Sequence, residues 1–198
     1  MKKCIIISVL LMIMVTGAFA QSEMSIGGGF QFDLGIPTLD PPPGIKKILH
    51  PLYGAFGFID TGNLEIDAAL SYCPSKEPAF PVQGRASYLR LSFALLGKYP
   101  MEMDGFTLFP LFGGRLRMTL AQSDPWGNKI DFDIEDTLGL SLQLGGGLDF
   151  PLSYELFIRA EALLSLDLVT LKAIRDDNYD KLINRIGPTI KVGIGYRL

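Results

Sequence analysis

Charged residues recur at spacings of two on the small-residue side of alternating segments: Glu65 and Asp67, Arg90, Arg115 and Arg117, Arg159 and Glu161, and Lys191. A spacing of two puts both members of a pair on one face of a strand. Asp33 and Asp149 fall on the same side of their segments. Charges of both signs gathered on one face can do two things. Paired across strands, they fill an interior with ion pairs; left unpaired, they line a polar conduction path or gate. Opposite charges facing each other on an open sheet stabilise by about 0.2–1 kcal/mol. In an enclosed interior, deleting one partner strands a buried charge and costs more. The mixture of signs favours a structural plug over a pore. Two pairs are expected from the strand order: Glu161 with Lys191, with Val169 to Asn184 as the bend between their strands, and Arg90 with Asp67.

Other candidate chemistry is thin. His50, the sole histidine, sits in a long connection among Lys46, Lys47 and Pro51, without a nearby base and orienting group that would make it part of a nucleophilic site. Asp131, Asp133, Glu135 and Asp136 offer oxygen atoms to a cation, but residues two apart on a strand are about 6.8 Å apart, too far to share one ion. The triplets Gly27–Gly29 and Gly145–Gly147 lie inside strands, with no following helix and no lysine and hydroxyl partner for a phosphate. The expectation is no catalytic residue, no metal and no cofactor.

These residues must be positioned by elements that cross something apolar. Lys2 and Lys3 precede an acid-free apolar run from Cys4 to Val15, and Ala18-Phe19-Ala20 follows as a cleavage site, so residues 1–20 read as a secretory signal peptide. The remainder, 21–198, is a single domain with 16 basic and 21 acidic residues, a formal charge of −5, and no basic patch for nucleic acid. It keeps one cysteine, Cys73, and therefore no internal disulfide. Hydrophobic residues make up 48% of the chain, yet beyond the leader no run approaches the roughly 20 residues of a helical span.

The apolar character is instead spread through alternation. Eight segments alternate: Met24–Leu34, Leu52–Ile59, Leu64–Cys73, Tyr88–Leu95, Phe106–Leu120, Leu138–Phe150, Leu156–Ser165 and Ile186–Leu198. Their connections run long, short, long, short, long, short, long. The Asp60-Thr61-Gly62-Asn63 segment is a tight turn, and Gly97–Gly105 is the longest of the short links. Pro110 predicts a bulge or bend within the fifth segment, and the alternation of Ile130, Phe132 and Ile134 with Asp131, Asp133 and Glu135 extends the following hairpin past the membrane. The face rich in Gly, Ser and charge fits a lumen that eight strands leave barely wide enough for side chains. The apolar face then meets lipid, with Phe30, Phe56, Phe58, Tyr72, Phe93, Phe112, Phe150 and Tyr196 as membrane-contacting or girdle aromatics.

The last octet alternates up to the carboxylate, with Lys191, Gly193, Tyr196 and Leu198 at the spacing of a C-terminal sorting signal. With that octet, the alternating segments and the loop asymmetry, the chain resembles the small eight-stranded bacterial outer-membrane β-barrel superfamily that includes the OmpA transmembrane domain, OmpX and OmpW. The resemblance implies an all-β, antiparallel, up-and-down transmembrane barrel in the bacterial outer membrane. It further implies a monomer surrounded by outer-membrane lipid, with periplasmic chaperones and the barrel assembly machinery reading the octet. Two roles follow for such a barrel: structural or surface interaction through long external loops with an unidentified ligand, or a narrow OmpW-like passive channel for small hydrophobic molecules. Deleting the last three residues should lower the amount of protein in the outer-membrane fraction; unchanged levels on immunoblots would contradict the sorting-signal reading.

Overall fold

The computed structural model describes residues 24–38, 49–76, 85–170 and 182–198. The leader, the prolines at 41–43 and most of the 169–184 connection lie outside the described residues. The described chain forms β1 (Ser25–Pro37), β2 (His50–Asp60), β3 (Leu64–Cys73), β4 (Ser87–Lys98), β5 (Met101–Met103), β6 (Phe106–Ser123), α1 (Ile134–Thr137), β7 (Gly139–Pro151), β8 (Leu156–Thr170) and β9 (Ile183–Arg197). Each long strand pairs antiparallel with the next, β4 with β6, and β9 closes on β1. The result is an eight-stranded antiparallel barrel, with β5 as a small lip strand. Closure leaves no long unpaired edge, which is what a sheet in hydrocarbon requires.

The closing seam is the terminal strand. Ser25 faces Arg197, Ile26 faces Tyr196 and Gln31 faces Lys191. Beyond the ladder, the Leu198 amide donates to the Met24 carbonyl at 2.8 Å.

Turns set one end of the barrel. Gly62 takes a φ of 81°, and its amide donates to the Asp60 carboxylate at 2.7 Å. The link between β4 and β6 is itself a small hairpin: Met101 pairs with Leu108 and Met103 with Phe106 around Gly105, whose φ is 88°. The strand ends at Pro37 and His50, Cys73 and Ser87, Ser123 and Gly139, and Thr170 and Ile183 all lie at the other end.

Two local expectations are corrected. Pro110 causes no register shift; the irregularity in the β4–β6 ladder lies between Leu89 and Arg90. The Pro110 carbonyl accepts from the Tyr99 amide at 3.4 Å. A strand residue aims its N–H and C=O to the same side, so the missing N–H points at the corner where β4 gives way to β5 and no ladder bond is lost. The 130–135 alternation does not extend the hairpin. Asp124 caps a turn by accepting from the amides of Trp126 and Asn128, and the chain then enters α1. Thr137 Oγ1 accepts from the Thr119 amide at 3.0 Å, taking the place of a strand partner, so the far part of β6 pairs with β4 and meets the returning chain only where Ser123 bridges Lys129 and the Ile130 amide donates to the Gln122 carbonyl.

The outer surface is apolar. Phe30 is 81% exposed and Leu144 65%, among Leu70, Phe93, Phe112, Leu142, Ile190 and Val192. Tyr53 and Tyr72 face each other near the loop end, and Tyr99, Tyr154 and Tyr196 mark the turn end, the two girdles of a membrane-spanning barrel. In water, so large a continuous apolar surface would not persist. Arginine at Leu144, halfway along β7, is expected to destabilise the barrel by about 2–4 kcal/mol in urea titrations in lipid vesicles. The same change at exposed Met103 on the lip should cost about 0–1 kcal/mol.

Candidate functional site: a charge-filled lumen

The inward positions of the eight strands converge on an interior packed with ion pairs and aromatic rings. Its turn-end half is built around Arg159 of β8, which is 1% exposed. Arg159 Nε donates to Asp149 Oδ1 at 2.7 Å and Nη1 to Glu65 Oε2 at 2.7 Å. Its Nη2 donates to Asp149 Oδ2 at 2.6 Å and to Asp60 Oδ2. Three carboxylates from β2, β3 and β7 thus surround one guanidinium, whose rigid fork of donors can serve them all. Lys98 of β4 joins them, with Nζ bonded to Asp60 and 3.5 Å from Asp149 Oδ2.

Next along the barrel stands Lys191 of β9, fully buried. Its Nζ donates to Asp67 Oδ2, and lies 2.9 Å from Glu161 Oε2 and 3.7 Å from Glu65 Oε1. Glu65 therefore sits between the Arg159 and Lys191 groups and ties them together. Glu161 stands directly opposite Lys191 in the β8–β9 register.

Aromatic rings complete this layer. Arg159 lies 4.3 Å from the ring centre of Phe58 and 5.2 Å from those of Phe109 and Phe157. Lys98 Nζ is 3.9 Å from the centre of Phe109, and Lys191 Nζ is 5.3 Å from Phe56. Cations over ring faces are stabilised most where water is excluded. Three rings occupy space left by a glycine directly across the ladder, Phe58 by Gly27, Phe109 by Gly147 and Phe157 by Gly195, while the Phe56 ring lies over Gly193 of β9. A Cβ built on Gly27, Gly147 or Gly195 would strike the facing ring. The inward glycines therefore make room for large rings that cross a narrow lumen.

This corrects the assignment of Phe56 and Phe58 to the lipid face, since they are 4% and 3% exposed. The sequence contains a signal for the inward placement. The tight turn pairs Asp60 with Glu65, so both point inward together, and Phe58 and Phe56 share the parity of Asp60.

The loop-end half holds the remaining candidates. Arg115 Nη1 donates to Asp33 Oδ1 at 3.2 Å, while Arg117 Nη1 lies 3.2 Å and Arg90 Nη1 3.7 Å from Asp167 Oδ2. Arg90 does not meet Asp67, contrary to expectation. It faces Ser71 across the β3–β4 ladder, and Asp67 faces Ala94, four residues along the strand nearer the turn end and within reach of Lys191. Residues missed in the sequence are Asp60, Lys98, Asp167 and Arg185. Asp60 and Lys98 were hidden as turn residues, and Asp167 and Arg185, which face each other in register, lie at the edges of the long 169–184 connection.

His50 opens β2 rather than lying in the loop; its ring centre is 6.3 Å from that of Tyr88. Among the described residues, no group of three or more His, Cys, Asp or Glu side chains is placed to hold a metal ion. Of the sorting octet, Lys191 and Gly193 point into the lumen, whereas Tyr196 and Leu198 are 40% and 62% exposed.

No protein-family model and no curated protein matches the chain. Among solved structures it is similar to Neisserial surface protein A, NspA, with 7% identity and a TM-score of 0.58 over 88% of this chain and 97% of that one. It is also similar to the outer membrane protein OprG of Pseudomonas aeruginosa, with 12% identity and a TM-score of 0.51 over 91% and 98%. At these identities the likeness is one of fold. Together with the apolar outer belt and the girdles, that fold makes the chain a small eight-stranded membrane-spanning β-barrel.

Lys191→Met leaves Asp67 and Glu161 without their buried cation. It is expected to lower unfolding free energy by about 3–5 kcal/mol, measured by urea titration in lipid vesicles. Adding Glu161→Gln should restore part of the loss; no loss in the single variant would contradict the placement of Lys191 in the lumen.

Proposed function

We propose that the barrel is a non-conducting scaffold whose role is structural or surface interaction through its long loop-end connections. The observation that carries this reading is the filled cross-section at Arg159. Its guanidinium, the carboxylates of Asp60, Glu65 and Asp149, and the rings of Phe58, Phe109 and Phe157 occupy one level of the lumen. Arg159, Glu65, Phe109 and Phe157 are each no more than 1% exposed. Opening a path there means separating a charge from three partners inside a low-dielectric interior, which is costly. Binding roles on a rigid barrel fall to the loops, which tolerate variation without loss of the scaffold.

The passive-channel reading needs a continuous lumen or a lateral opening, and the paired level at Arg159 argues against the first. Insertion through the barrel assembly machinery fits the same picture. Lys191 and Gly193 are enclosed once β9 pairs with β1, so the octet has to be read before closure. The refolded protein in planar bilayers should give no steady conductance at either polarity. A double replacement that removes both charge and ring, Arg159→Ser with Phe109→Ala, should produce a measurable current. Steady conductance in the unaltered protein would favour the channel instead.

A further inference from the structure

The two halves of the lumen carry opposite excess charge. The turn-end half sets five carboxylates, Asp60, Glu65, Asp67, Asp149 and Glu161, around the three cations Lys98, Arg159 and Lys191. The loop-end half does the reverse. Arg90, Arg115, Arg117 and Arg185 are gathered there with only Asp33 and Asp167 among the described residues.

Both aspartates are already committed. Asp167 accepts from Ser141 Oγ at 2.7 Å while paired with Arg90 and Arg117. Asp33 accepts from Gln31 Nε2, Thr189 Oγ1 and Arg115 Nη1. Among the described residues this leaves one of the four guanidiniums, that of Arg185, without a carboxylate at ion-pair distance. Arg185 donates to a neutral group, Tyr88 Oη, at 3.1 Å, and its guanidinium lies 5.7 Å from the Tyr88 ring centre. Arg85, just above, is bonded to the carbonyls of Pro74 and Leu49, which carry no countercharge.

A cleft opens among these residues, lined by Arg90, Arg115 and Arg185 together with Asp33, Asp167 and Thr189. Arg115 supplies an independent sign of a missing ligand. It is 5% exposed, yet its Nε and Nη2 have no hydrogen-bond partner among the described residues. A buried guanidinium with unused donors is costly unless an acceptor completes it. Adjacent N–H donors of a guanidinium fork match the oxygen pairs of phosphate-type anions. Three arginines against two aspartates leave the cleft net positive, and a net positive cleft between low-dielectric walls concentrates anions.

We propose that this loop-end mouth of the lumen binds a tetrahedral oxyanion of the phosphate or sulfate class, held by Arg115 with Arg90 and Arg185. The cleft is narrow, so the anionic group enters alone or at the tip of a larger molecule whose body remains outside.

The test is phosphorus NMR on the full, detergent-folded barrel in octyl glucoside, a detergent without phosphate. The line of inorganic phosphate should broaden on adding protein and sharpen again with sulfate but not with equimolar chloride. Arg115→Gln should raise the phosphate concentration for half-effect about tenfold or more, the loss of one or more charge-assisted bonds. Arg185→Gln, at the more accessible side of the cleft, should weaken binding in the same direction and guards against a folding defect in the first variant. Glucose 6-phosphate separates the sources: broadening like that of inorganic phosphate identifies a group carried on a larger molecule, and broadening by inorganic phosphate alone identifies the free ion. No broadening, equal displacement by chloride, or binding unchanged in both variants would overturn the proposal.

Discussion

The Arg159 guanidinium, sealed in the lumen, must be answered by acceptors that the chain brings from three other strands. Asp60 arrives from the end of β2, Glu65 from the start of β3 and Asp149 from β7. Shifting any of these strands by one residue would turn its carboxylate out to lipid and leave the cation bare. The register of the turn-end half is therefore fixed by charge as well as by backbone pairing. Asp60 couples the two most closely, since one carboxylate oxygen caps the Gly62 turn while the other meets Arg159 and Lys98. Glu65 extends the network to Lys191 on the closing strand, so the seam between β1 and β9 is held from inside as well as by its ladder.

Such an interior reverses the usual arrangement of a soluble sheet. Apolar residues outside gain nothing from one another by leaving water; lipid covers them, and the specificity of the fold has to come from the lumen. Glycine opposite phenylalanine performs this locally, with the Phe58, Phe109 and Phe157 rings each filling the gap across the ladder from a residue without a side chain. Ion pairs perform it across the barrel. The opposite charge excess of the two halves then gives the lumen a polarity, acidic toward the turns and cationic toward the loops.

Much of this was legible in the sequence because a strand encodes its two faces in a period of two. The alternation of Leu138–Phe150 and Leu156–Ser165 gave their faces directly, and the opposed Glu161 and Lys191 followed from the strands flanking one bend. Legibility failed where parity was carried by a turn instead of by polarity. In β2 both faces hold apolar residues, so Phe56 and Phe58 could be placed inside only through Asp60 and its tight turn. It failed again for Arg90, because choosing between Asp67 and Asp167 requires the height of each residue along tilted strands, which depends on the shear of the whole barrel. The 130–135 alternation misled for a different reason. A periodic stretch becomes a strand only if a partner edge is free, and there Thr137 already occupies the Thr119 amide.

The central claim is that Glu65 and Arg159 form one energetic unit that organises the lumen. A double-mutant cycle with Glu65→Gln and Arg159→Met, with unfolding free energies taken from urea titrations in lipid vesicles, measures it directly. The account predicts a coupling of about 1–3 kcal/mol, the double variant losing far less than the sum of the two single variants. Effects that add to within about 0.5 kcal/mol would contradict it.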